Sequence, residues 1–193
     1  RQCASNCVGG LEFYVGIPGS VGGAVAMNAG GHNCQTSDVL RSTNCLSLET
    51  GDFVNFDKDL CNFDYRKSRF TNSDFIVDAT FEGFKRDEET IKERLDEIVK
   101  WRRENQPGGR NVGSVFQNPA DCSAGELIEK AGLKGFSIGG AQVSEKHANF
   151  IQAAQDAKAQ DIYDLIGHVK KHIFETTGYD LKTEVRYIGN YGK

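Results

Sequence analysis

Apolar residues recur at helical spacing in two long stretches of this chain. From Arg86 to Gln106, a charged segment carries Ile91, Leu95, Ile98 and Val99 on one face. That spacing predicts an amphipathic helix stopped by Pro107-Gly108-Gly109. From about Ala159 to Thr177, the residues Ile162, Leu165, Ile166, Val169 and Ile173 form a second stripe, ended by Gly178. Between the two, Ser123-Ala-Gly-Glu126 reads as a capping box that opens a shorter helix with Leu127, Ile128 and Ala131, stopped by Gly132. Elsewhere the pattern is that of strands. Cys45-Leu-Ser-Leu-Glu and Phe53-Val-Asn-Phe flank Thr50-Gly51-Asp52 as a hairpin, and Phe75 to Phe81 is a further strand. Val112 to Gln117, Ala148 to Gln152 and Thr183 to Ile188 are also expected to be strands. In the last of these, period-two alternation puts Glu184, Arg186 and Ile188 on one face and Val185 and Tyr187 on the other. Residues 1–31 are loop-rich, and no internal repeat is present. The change of character after the Phe75 strand predicts two domains, 1–83 and 84–193. In the second, the alternation of helices and strands indicates an α+β or α/β unit.

Composition narrows the class. The 193 residues suffice for one large domain or two small ones, and 26% charged residues describe a soluble globular protein. A net charge of −4 and an isoelectric point near 5.6, with no basic stripe, argue against a dedicated nucleic-acid binder. No apolar run approaches the ~20 residues needed to span a bilayer, so no membrane association is expected. The opening Arg-Gln-Cys-Ala-Ser-Asn-Cys lacks the apolar centre of a secretory signal. The chain begins without Met and close to a glycine-rich stretch, which reads as a fragment or a processed chain. Cys3, Cys7, Cys34, Cys45, Cys61 and Cys122 show no CxxC and no Cys/His metal spacing. Reduced thiols in a cytoplasmic protein are expected, with no metal site.

Candidate chemistry starts in Gly16-Ile-Pro-Gly-Ser-Val-Gly-Gly-Ala-Val-Ala-Met-Asn-Ala-Gly-Gly31. Glycines let a backbone approach a ligand, and free N–H groups in such a stretch suit a diphosphate or the edge of a flat cofactor. A tightly packed turn without a ligand fits the same residues, because the spacing is neither the dinucleotide fingerprint nor the P-loop. In Phe63-Asp-Tyr-Arg66-Lys-Ser68, the arginine is either an anion site or an ordinary surface residue. In Asn111-Val-Gly113-Ser114-Val-Phe116-Gln-Asn118-Pro119, Ser114 can relay a proton or simply satisfy local backbone. No G-x-S-x-G elbow surrounds it, which argues against a hydrolase-type nucleophile. Gly139-Gly140-Ala-Gln142-Val-Ser144-Glu-Lys146-His147-Ala-Asn149 suits a ligand-lining loop or a helix start. His147 there could be a ligand, an acid–base group or a surface residue. Glu184 either pairs with Arg186 or faces a cavity and takes part in charge chemistry.

Taken in order, GLEFYVGIPGSVGGAVAMNAGG, FDYRKS, QPGGRNVGSVFQNP, SAGELIEKAGLKGFSIGGAQVSEKHANFI and TEVRYIG closely resemble the UDP-N-acetylenolpyruvoylglucosamine reductase family. The resemblance runs over nearly the whole chain. It implies an α+β fold: the C-terminal part of an FAD-binding domain (1–83), then a smaller α/β substrate-binding domain (84–193). It implies a flavoenzyme of peptidoglycan synthesis in which NADPH reduces FAD. Hydride then passes to the enolpyruvyl group, giving UDP-N-acetylmuramate. By motif position, Ser114 is implied as the proton donor, with Arg66 and a protonated Glu184 on the enolpyruvyl carboxylate. Gly16, Ile17, Pro18, Gly19, Ser20, Gly22, Gly23 and Asn28 are implied along the flavin, and Tyr65, Asn118, His147 and Arg186 as substrate contacts. The partners implied are a UDP-sugar and NADPH, and a monomer is expected. The short connection from Asn118-Pro119 to Ser123 resembles the family's compact form. Two departures stand out. Family members carry a further glycine-rich segment ahead of this stretch that helps hold FAD, and often a basic residue where this chain has Asn105. The alternative is therefore a non-catalytic UDP-sugar-binding fragment that does not retain FAD.

Overall fold

The computed structural model describes residues 1–191. The chain divides into two compact units, Arg1–Arg102 and the residues from Arg103 on. The first is built on a three-stranded antiparallel sheet, after a short helix α1 (Val21–Ala26). Its strands are β1 (Leu40–Ser47), β2 (Phe53–Asp57) and β3 (Asp74–Phe81), in the order β2-β1-β3. The register sets Cys45 opposite Val54 on one side and Ile76 on the other. The hairpin turn falls at Gly51, as read from sequence: the N–H of Ser47 donates to the carbonyl of Asp52 at 2.9 Å. One sheet face and α1 enclose a core of Val25, Leu40, Cys45, Phe56 and Cys61. All six cysteines are free thiols.

The glycine stretch was expected to be loop, yet α1 lies inside it. Glycine disfavours helix by about 1 kcal/mol per residue, and packing overrides that here. Val25 is fully buried, and Gly22 lies close enough to β3 that a Cβ there would stand 3.4 Å from the Ile76 carbonyl oxygen.

Helix α2 (Glu88–Asn105) follows, with Ile91 and Ile98 buried, Leu95 half-buried and Val99 exposed. Sequence assigned this helix to the second domain from residue 84 on, whereas compactness groups it with the first unit as far as Arg102. The reason lies at its end. The Trp101 ring meets His32 edge-on at 5.0 Å, and the Arg102 side chain lies against Gly16 and Gly31.

The second unit holds β4 (Asn111–Ser114), α3 (Ala124–Lys130), β5 (Ser137–Ile138), β6 (Ala141–Val143), β7 (Phe150–Ala153) and α4 (Ala159–Thr177). The strands form one sheet in the order β4-β7-β6-β5, with every neighbour antiparallel. The expected α/β character is thus corrected to α+β. Parallel neighbours need a crossover of a dozen residues or more, and the connections β5-β6 and β6-β7 are too short for one. Helix α4 packs on β5, β6 and α3 through the expected stripe, with Leu165, Ile166, Val169 and Ile173 buried. It starts where the Asp161 carboxylate accepts the N–H groups of Lys158 and Gly140, both at 3.0 Å. Those backbone donors hold the Asp161 carboxyl below the usual carboxylate range. Gly178, at φ +80°, closes the helix.

Thr183 to Ile188 is not a strand. A single antiparallel bridge joins Phe116 to Thr183, with Gln117 N–H to Lys182 O and Glu184 N–H to Val115 O, both 2.8 Å. Ladder pairing stops there: the same register would set Arg186 opposite Gly113, whose left-handed φ of +73° breaks the regular edge and whose N–H is already taken by Asn111 Oδ1. Among the described residues, no helix is long and apolar enough to cross a membrane, and no group of three or more His, Cys, Asp or Glu is placed to hold a metal ion.

Candidate active site

In the first unit, the glycine stretch presents an exposed edge at Pro18, Gly19, Ser20 and Gly23. Gly19 has φ +120°, a conformation L side chains rarely adopt, and a Cβ there would meet nothing within 4 Å. The chain therefore turns tightly with open space beside its backbone. Ser20 is extended and caps α1, its Oγ accepting the Gly23 N–H at 3.1 Å. Replacing Ser20 with Ala removes that acceptor. The expected loss is about 1 kcal/mol of stability, measured as a lower urea midpoint. A midpoint equal to the wild type would show that the cap does not hold in solution.

Two motifs far apart in sequence meet at this stretch. Asp64 and Lys67 exchange backbone hydrogen bonds of 3.0 and 3.1 Å, which leaves Tyr65 and Arg66 at the tip of a tight turn. Arg66 has φ +54°, and its guanidinium lies 4.9 Å from the Tyr65 ring centre. The turn is tied to the glycine stretch at alternate residues. Asn28 Nδ2 donates to the Asp64 carbonyl at 3.0 Å, the Arg66 guanidinium to the Gly30 carbonyl at 3.2 Å, and Ser68 Oγ to the Ala26 carbonyl at 2.7 Å.

Asn28 is 1% exposed, and its amide is occupied within the chain. Besides Asp64, Nδ2 donates to Gln35 Oε1 at 3.2 Å, and Oδ1 accepts the Ser37 N–H at 2.9 Å. Its side chain ties the stretch to Gln35, Ser37 and Asp64. Ile17 and Gly22 are half-buried, and Gly16 is exposed.

In the second unit, Ser114 ends β4 opposite Phe150 and is exposed, while the next residue, Val115, is buried. Asn111 sets this up. Its Oδ1 accepts the Gly113 N–H at 2.9 Å, and Gly113 takes φ +73° with nothing near its absent Cβ. Val115 lies between the two residues expected to carry chemistry: Ser114 precedes it, and its carbonyl accepts the N–H of Glu184. Glu184 is half-buried and Arg186 exposed.

Asn149 fixes the same backbone from the other side. It is 5% exposed; Oδ1 accepts the Phe116 N–H at 2.9 Å, and Nδ2 donates to the Phe116 carbonyl at 2.8 Å. Its own carbonyl accepts the Val115 N–H at 2.9 Å. Sequence reasoning grouped Asn149 with the polar residues of its segment but gave it no role. Only its pairing across 33 positions reveals one.

His147 is half-buried against Gly125 and meets the Phe150 ring at 4.9 Å. Burial first, with the Lys134 charge, pushes its pKa down, against an opposing backbone bond and Glu129. Nδ1 accepts the Asn149 N–H at 3.2 Å, so a neutral ring carries its proton on Nε2 as a donor. Asn118 is exposed, and its Oδ1 accepts the Ala124 N–H at 3.0 Å, which ties it to the start of α3 beside the Ser123 cap.

A profile of the UDP-N-acetylenolpyruvoylglucosamine reductase C-terminal domain matches residues 105–188. The reductase of that name from Rickettsia felis is 40% identical over 192 residues, which is 99% of this chain and 65% of the relative. The one from Halalkalibacterium halodurans is 47% identical over 182 residues, 93% of this chain and 60% of the relative. The crystal structure of UDP-N-acetylenolpyruvylglucosamine reductase from Thermus caldophilus superposes with a TM-score of 0.86 at 33% identity, covering 96% of this chain and 66% of that one. The chain thus spans 60–65% of the length of these two sequence relatives. By sequence and by fold, it belongs to the UDP-N-acetylenolpyruvoylglucosamine reductase family.

Proposed function

We propose that this chain serves an FAD-dependent reductase that uses NADPH to convert UDP-N-acetylenolpyruvoylglucosamine to UDP-N-acetylmuramate in cytoplasmic peptidoglycan synthesis. The observation that carries the reading is the arrangement about Val115, where an exposed Ser114 hydroxyl and the Glu184 backbone share one peptide neighbour. The residues of the first unit fit the cofactor. Gly16, Ile17, Pro18, Gly19, Ser20, Gly22 and Gly23 would hold it along an edge with open space beside Gly19, braced by Asn28. FAD, when bound, accepts hydride from NADPH and supplies it to the enolpyruvyl carbon–carbon double bond.

The protein's own groups handle charge and the proton. As hydride adds to one carbon of the double bond, negative charge grows toward the substrate carboxylate. Arg66, aimed by its Gly30 contact, would neutralise it. Glu184, in its protonated form, would donate a hydrogen bond to the same group. Ser114 would then give its hydroxyl proton to the carbon beside the carboxylate, completing addition across the double bond. Tyr65, Asn118, His147 and Arg186 would contact the UDP-sugar, His147 as an Nε2–H donor.

A second reading, favoured by the match of the C-terminal-domain profile to residues 105–188, is a module that binds the UDP-sugar without retaining flavin. One assay separates the two. Purified chain with FAD and UDP-N-acetylenolpyruvoylglucosamine is expected to oxidise NADPH above a no-substrate control. Folded protein that binds the UDP-sugar saturably yet oxidises no NADPH would establish the second reading instead.

A further inference from the structure

The segment after Thr183 lacks the sheet pairing that usually fixes side-chain direction. Its ladder ends at the Glu184 N–H, yet Glu184 and Arg186 are residues to which the proposed chemistry assigns definite directions. Aromatic contacts continue where the backbone bonds stop. Val185 packs against the core of the second unit. Tyr187, two residues on, meets the Tyr163 ring of α4 edge-on, with centroids 5.1 Å apart and planes at 72°. Tyr191 closes the group, stacked on Tyr163 at 5.5 Å and 17° and tilted against Tyr187 at 5.5 Å. Ile188 beyond Tyr187 is 90% exposed and Tyr187 itself 39%, so the ring cluster sits at the surface of the second unit.

We propose that Tyr163 is a positioning residue for Glu184 and Arg186, acting through Tyr187 in place of the missing strand pairing. With Val185 packed against the core and Tyr187 on Tyr163, the backbone is held on both sides of Arg186 and directly after Glu184. An edge-to-face aromatic pair is strong enough to bias how such a segment is held. The role rests on the function proposed above, but the contact itself does not.

Amide hydrogen exchange, followed by NMR on the 15N-labelled chain, tests the contact without any turnover. In Tyr163→Ala, the Glu184 amide is expected to exchange roughly three- to tenfold faster. Tyr163→Phe keeps the ring and should match the wild type. Tyr187→Ala should reproduce Tyr163→Ala, and the double variant should add little to either. Amides of β6 and β7, where Val143 pairs with Ile151, should be unaffected. An unchanged Glu184 amide in Tyr163→Ala overturns the proposal, as does an equal acceleration in β6 and β7. In the flavin-loaded enzyme, kcat should fall with Tyr163→Ala and recover with Tyr163→Phe. Faster exchange with kcat intact would instead remove Glu184 from the chemistry and leave the contact standing.

Discussion

Ser114→Ala in the complete flavoenzyme should lower turnover roughly 10²- to 10⁴-fold, the usual contribution of a positioned general acid. Reduction of the flavin by NADPH should proceed at close to the wild-type rate. The two outcomes separate because the substitution deletes one hydroxyl and nothing else. Ser114 is exposed at the end of β4, so its oxygen supports no core contact, and the methyl that remains keeps the strand's side-chain alternation. The turn that aims it is independent of the hydroxyl, since Asn111 holds Gly113 through the backbone. In the proposed reaction, hydride transfer from NADPH to flavin needs no proton from this position, whereas protonation of the enolpyruvyl group would take one from it. Single-turnover absorbance of the flavin separates the steps: reduction on adding NADPH, then reoxidation on adding the UDP-sugar. Wild-type reoxidation in the variant would remove Ser114 from the reaction. Equal slowing of both phases would mean that the site had been disturbed as a whole.

Much of the architecture could be read from periodicity, because it rests on local rules. The stripe Ile162, Leu165, Ile166, Val169 and Ile173 encodes α4, and the Gly178 stop falls where a left-handed residue is needed. The hairpin at Gly51 follows from two apolar runs around a turn. Features that depend on distant partners were not legible. Glycine propensity pointed away from a helix at Val21–Ala26, and only Ile76, more than fifty positions on, supplies the surface that favours it. In Thr183–Ile188, Val185 packs on the core and Tyr187 meets Tyr163, but Tyr187 stays 39% exposed, so the two predicted faces are not separated by burial. The inference of a strand failed, because nothing in a sequence says whether the facing backbone, here Gly113, is free to pair. Arg66 and the glycine stretch were each noticed, but the bonds of Asp64, Arg66 and Ser68 to Asn28, Gly30 and Ala26 join residues 36 to 42 positions apart. No local pattern carries that information.

Asn149 is the clearest case, and it supports the strongest stability prediction. Leu has nearly the shape of Asn, so Asn149→Leu keeps the packing and removes only the polar amide. Two backbone groups of Phe116 then lose their partners: the N–H bonded to Oδ1 and the carbonyl bonded to Nδ2. Phe116 is 2% exposed and Asn149 5%, so water has poor access to replace either bond. Each buried group left without a partner costs about 1–3 kcal/mol, giving a loss of about 2–6 kcal/mol in the second unit. At about 4–8 °C per kcal/mol for a unit of this size, its melting transition should fall by about 8 °C or more. Asn149→Asp keeps an acceptor for the Phe116 N–H but sets a carboxylate oxygen against the Phe116 carbonyl. It should therefore destabilise too, and less as the pH falls and the acid regains a donor proton. A loss under about 1 kcal/mol in Asn149→Leu would mean that Phe116 finds other partners and that Asn149 is not what holds this backbone. The expected loss also bears on chemistry, because the strut that holds Phe116 holds Val115 as well, whose neighbours are Ser114 and the Glu184 N–H. A protein that placed its proton donor on a freely moving strand end would spend much of its time with the hydroxyl misdirected. A buried amide bonded to the N–H and the carbonyl of one residue, Phe116, prevents this at a cost of no more than one polar side chain in the core.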